Sequence, residues 1–67
     1  MNVFAQTLYE LIKEKGISQS QLADYLKVRQ QTVSKYTYGK VEPGFDTLIK
    51  LAKYFDVSTD YLLGLEN

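Results

Sequence analysis

Seven polar side chains between residues 19 and 40 could grip another molecule: Gln19, Arg29, Gln30, Gln31, Lys35, Tyr38 and Lys40. Their chemistry is hydrogen bonding and charge, not bond making. A glutamine amide carries a donor beside an acceptor, the pattern that matches N6 and N7 on the major-groove edge of adenine. A lysine ammonium can donate to guanine O6 and N7, or rest against a phosphate. The plainer alternative is that these are ordinary solvated helix residues, and residue types alone leave both open. Catalysis is excluded more firmly. The 67 residues include no cysteine and no histidine, which removes disulfides, Cys/His zinc sites, thiol nucleophiles and imidazole bases together. Ser34 and Ser58 therefore lack a histidine to activate them. Asp56 and Asp60 are four residues apart, but capping of a short helix explains them more simply. The four glycines fall at expected helix ends and turns rather than in a phosphate-binding loop. The expectation is a protein that is not an enzyme and carries no cofactor or metal.

Formal net charge is zero, but it is unevenly spread. Residues 27–41 hold Lys27, Arg29, Lys35 and Lys40 with no acid, a local +4, while the flanking segments are −1 and −3. Docking on phosphate responds to such local charge rather than to the total. No apolar run approaches the roughly 18 residues of a membrane span, and Met1-Asn2-Val3-Phe4 lacks the pattern of a signal peptide. An intracellular, soluble chain with room for one domain is expected.

Five short helices must position these groups. Phe4, Leu8, Leu11 and Ile12 recur at helical spacing before Gly16 ends the first helix. Ser18 and Gln21 have capping-box spacing and open a second, with Leu22, Ala23 and Leu26 inside and an end near Lys27. A third helix must follow almost at once. It has only Val33 and Tyr36 as strongly apolar positions, so Gln30, Gln31, Thr32, Ser34 and Lys35 are left facing outward, and Tyr36 reads as core. After a Gly/Pro-marked loop, Leu48, Leu51, Ala52 and Phe55 define a fourth helix from about Phe45 to Phe55. Ser58 caps a last one that carries Tyr61, Leu62 and Leu63 to Gly64. No strand or repeat signal intervenes, so the fold class is all-α, a five-helix bundle across residues 1–67.

Two helices joined by a tight turn, the second polar on its free face, already outline a helix-turn-helix over about residues 18–37. Ile17-Ser18-Gln19-Ser20-Gln21-Leu22-Ala23 resembles the opening of that motif in the Cro and phage-repressor family. Val28 to Gly39 looks like its second half. Thr47-Leu48-Ile49-Lys50-Leu51-Ala52-Lys53 is similar to the family's fourth helix, and Asp56-Val57-Ser58-Thr59-Asp60-Tyr61-Leu62-Leu63-Gly64 to its closing segment. The resemblance as a whole covers about residues 4–64, with the four stretches in register.

The resemblance implies a lambda-repressor-like domain that binds double-stranded operator DNA as a homodimer and regulates transcription, most simply as a repressor in a bacterium or its phage. It implies base contacts from Gln30, Gln31 and Lys35, and backbone contacts from Gln19, Arg29, Tyr38 and Lys40. It places the dimer interface on Tyr61, Leu63 and Leu65, with Leu62 closing the core. The rival is a protein-interaction module, an antitoxin or adaptor, that uses the Tyr61–Leu65 patch. Three departures stand out. Arg29 replaces the family's usual Ser or Thr cap before the recognition helix, and Glu42 replaces a commonly basic loop residue. Ile12 and Thr37 together replace a family Arg–Glu pair, which suggests that the two are near neighbours. Removing both members of a buried ion pair is often neutral, whereas removing one strands a charge.

Overall fold

A computed structural model describes residues 2–66, and all regular structure among them is helical. Helix α1 spans Val3–Lys15, α2 Gln19–Leu26, α3 Gln30–Thr37, α4 Phe45–Phe55 and α5 Thr59–Leu62. Local chemistry accounts for most of these limits. The Asn2 side chain accepts from the Ala5 N–H at 2.7 Å and starts α1, and Gly16 ends it in the left-handed conformation. The capping box at α2 is complete. Gln21 N–H donates to Ser18 Oγ at 3.0 Å, and Ser18 N–H donates back to Gln21 Oε1 at 2.9 Å, so two otherwise free donors are satisfied. Ser58 Oγ accepts from Tyr61 N–H at 2.9 Å and opens α5.

Helix α3 begins at Gln30, directly after Arg29 as expected, with Val28 in the turn, half-buried against the core. One boundary differs slightly from the sequence expectation. Helix α5 stops at Leu62 and leaves Leu63 as its cap. The turn beyond it is closed by Leu65 N–H donating to the Asp60 carbonyl at 2.8 Å. The turn between α2 and α3 contains no glycine. Lys27 itself takes the left-handed conformation there, at φ 59°.

Every helix contributes to one core. Leu8, Leu22, Val33, Leu51 and Leu62 are fully enclosed, with Phe4, Tyr36 and Phe55 packed around them. Burying a side chain of this size is worth roughly 1.5–3 kcal/mol, which a chain this short needs from several positions at once. Helix α3 lies against both α1 and α2, and α5 against α1 and α4. Phe4 and Tyr36 meet edge to face with ring centroids 6.3 Å apart, fixing α3 against α1. Ile12 and Thr37 are both buried on this packed pair, and the Thr37 hydroxyl is satisfied by donating to the Ser34 carbonyl at 2.7 Å. Both positions are shielded from solvent, so a charge at either would need a partner.

Candidate nucleic-acid interface

Helix α3 is held by one face only. Val33, Tyr36 and Thr37 are buried, Thr32 and Ser34 are half-buried, and Gln30, Gln31 and Lys35 are exposed. Three apolar or enclosed positions in eight residues anchor the helix while the polar arc remains in solvent. That arc does not stand alone. Gln19, at the first position of α2, lines a shallow polar depression of about 330 Å³ together with Gln30, Gln31 and Ser34. Three of the seven sequence-predicted residues are thus brought to one place. The α2–α3 packing does this by setting the start of one helix beside the start of the next.

The remaining four surround α3 along the chain. Arg29 is its N-cap residue, exposed, and makes no side-chain capping bond. Lys35 lies in its last turn, and Tyr38 is its exposed C-cap residue. Lys40 is exposed in the loop that follows, where its N–H donates to the Lys35 carbonyl at 3.0 Å. Ser34 is the residue of the depression that the sequence reading left without a role. Its spacing, four residues after Gln30 and three after Gln31 on α3, is the signal that could have found it.

In and after α5, Tyr61, Leu63 and Leu65 are all exposed while Leu62 is enclosed. Phe45, also exposed, joins this region, because Leu63 and Phe45 line a common apolar pocket with Phe4, Pro43 and Leu48. Among the described residues, no cluster of acidic side chains could hold a metal ion, and no helix is long and apolar enough to cross a membrane.

Comparison with known proteins agrees with this geometry. A family profile described as helix-turn-helix matches residues 8–62. The SPbeta prophage-derived uncharacterized HTH-type transcriptional regulator YonR of Bacillus subtilis is 43% identical over 61 residues, covering 91% of this chain and 56% of that protein. The chain spans about half the length of the curated relatives it matches. Among solved structures, a transcriptional regulator from Listeria innocua superposes with a TM-score of 0.90 at 41% identity, covering 96% of this chain and 60% of that one. The P22 c2 repressor, solved with a synthetic operator, superposes with a TM-score of 0.89 at 24% identity, covering 98% of this chain and all of that one. At that identity the second likeness speaks for the fold. The chain belongs to the Cro/C1-type helix-turn-helix family of DNA-binding transcriptional regulators.

Proposed function

We propose that this chain binds a two-fold symmetric DNA operator as a homodimer and represses transcription by occupying it. The carrying observation is the exposed arc of α3, continuous with Gln19 at the start of α2 and bracketed in sequence by Arg29, Lys35 and Lys40. An α-helix fits the major groove, and amide and ammonium groups on its outer face can meet base edges there. In this reading Gln30, Gln31 and Lys35 read bases. Gln19, Arg29, Tyr38 and Lys40 hold the backbone, where contacts fix register without carrying sequence information.

Two copies would place their α3 helices in successive major grooves, about 34 Å apart. The exposed Tyr61, Leu63 and Leu65 are the side chains we assign to joining them. A dimer doubles the contacts to DNA and makes the site palindromic, which is how a domain with a small footprint gains specificity. The setting that fits is the bacterial cell interior, on bacterial or phage DNA, and the relative encoded by a prophage supports that placement.

Selection of bound duplexes from a random pool, followed by gel shift of the winner, tests the reading. An inverted repeat with half-sites about one helical turn apart is the expected product. No salt-sensitive binding to any duplex would leave the interaction-module reading in its place.

A further inference from the structure

The start of α1 is held from two sides. A Cβ added to Gly39, in the loop after α3, would stand 3.4 Å from Asn2 Nδ2 and 3.7 Å from Ala5 Cβ. One added to Gly64 would fall 2.5 Å from Val3 Cγ1. Asn2 and Val3 therefore lie against two turns whose glycines are left-handed, at φ 74° and 79°. The Asn2 amide is oriented as well as placed. Ala5 N–H needs an acceptor, so Oδ1 faces it at 2.7 Å, and Nδ2, with its two N–H donors, is turned toward the loop. Asn2 is exposed, so those donors are open to solvent. The loop is itself tied to the last turn of α3: Gly39 N–H donates to the Tyr36 carbonyl at 3.2 Å and Lys40 N–H to the Lys35 carbonyl at 3.0 Å. The start of α1 thus sets a solvent-facing amide beside the segment that carries Tyr38 and Lys40.

We infer that Asn2 is a further contact to the DNA backbone, its Nδ2 donating to a phosphate oxygen beside the position that Lys40 grips. The inference rests on the operator reading above and adds a residue remote in sequence from the helix-turn-helix. Three features carry it. Asparagine amides are among the side chains that hold phosphates, and such contacts fix register rather than read sequence. The donor is preorganised, since the cap bond to Ala5 fixes the side chain before any ligand arrives and leaves little rotamer freedom to lose on binding. The setting is electropositive as well. Residues 27–41 carry four basic side chains and no acid, and no acid precedes Glu10 in the N-terminal segment. Glu42 lies further along the loop, on the wall of the apolar pocket with Phe4 and Leu63. Periodicity could not reveal this residue, because Asn2 precedes α1 as its cap and meets Gly39 only in the folded chain.

Two variants separate contact from capping, measured by gel shift on the selected operator and on random duplex across salt concentrations, with thermal denaturation alongside. Asn2→Asp keeps a side-chain acceptor for Ala5 N–H, so it should melt like the native chain. It removes the donor and sets a carboxylate against phosphate, so binding to both duplexes should fall about tenfold. Asn2→Lys loses the cap and should melt lower. It should nevertheless bind both duplexes more tightly and steepen the slope of log K against log salt by about one, as one more counterion is released. Stability and affinity would then move in opposite directions, which a purely structural role cannot produce. Native affinity and native salt slope in both variants would overturn the inference. A loss of affinity confined to Asn2→Lys, with its slope unchanged, would also overturn it, because Asn2 would then act only by starting α1. A native chain that binds no duplex would overturn the operator reading itself, and this inference with it.

Discussion

Arg29 shows how one residue can serve two demands that conflict. It caps α3 by position but without a side-chain bond, where serine would satisfy a free N–H and stabilise the helix by about 0.5–2 kcal/mol. A cationic side chain at the same place can reach a phosphate instead. Arg29→Ser should therefore raise the melting temperature while weakening DNA binding, a divergence that thermal denaturation and gel shift read in parallel. If affinity holds while stability rises, Arg29 is not a backbone contact. At this scale the sequence was informative about what is exposed. Gln30, Gln31 and Lys35 could be placed outward because only Val33, Tyr36 and Thr37 hold α3 inward. It was less informative about neighbours. Tyr25 had no evident role, and the structure stacks it on Tyr54 with centroids 4.6 Å apart, a pairing between helices that no spacing within one helix reveals. Phe45 entered the sequence reading only as the start of the fourth helix, and the structure leaves it exposed. Its place as the first residue of α4 leaves it outside the packed layer.

Helix limits were the most legible feature, because local chemistry sets them. Asn2, Ser18 and Ser58 accept N–H bonds at their helix starts, and Gly16, Lys27 and Asp56 close α1, α2 and α4 in the left-handed conformation. Contacts between helices decide whether they stay assembled. Ile12 on α1 and Thr37 on α3 are buried where the family often has an ion pair. Ile12→Arg alone should destabilise the fold by several kcal/mol, since it places an unpaired charge out of water. Adding Thr37→Glu should recover part of that loss if the two positions are neighbours, and urea titration of the single and double variants would show it. No recovery would mean that they do not meet. Leu62, fully enclosed although α5 has only four residues, should cost about 2–5 kcal/mol when cut to alanine. Leu65, exposed beside it, should cost almost nothing in the monomer.

The whole molecule divides its surface between a cationic, amide-bearing side built on α3 and an apolar end built on Phe45, Leu63 and Leu65. One core underlies both, and Phe4, which lines the apolar pocket, packs on Tyr36 of α3. Charging the apolar end should therefore harm DNA binding without touching the DNA face. Leu63→Asp with Leu65→Asp should leave the monomer helical by circular dichroism. Operator affinity should fall toward the non-specific range of about 10⁻⁴–10⁻⁶ M, because one half-site supplies only half of the contacts. Undiminished binding by that variant would remove this end from the dimer. Little of this arrangement could be read from periodicity, which reports the inward face of each helix and says nothing about which outward faces adjoin.

The central claim is that α3 reads bases while the loop after it grips phosphate, and one comparison tests it most directly. Binding of the native chain, Gln31→Ala and Lys40→Ala is measured on the selected operator and on random duplex across a range of salt concentrations. Gln31→Ala should lose roughly 1–3 kcal/mol on the operator and little on random DNA, because a bidentate contact matters only where its base stands. Lys40→Ala should weaken both duplexes about equally and flatten the slope of log K against log salt by about one, since one phosphate contact fewer releases its counterion. A Gln31→Ala protein that loses the same affinity on every sequence would contradict the account and shift base reading toward Lys35 and Arg29.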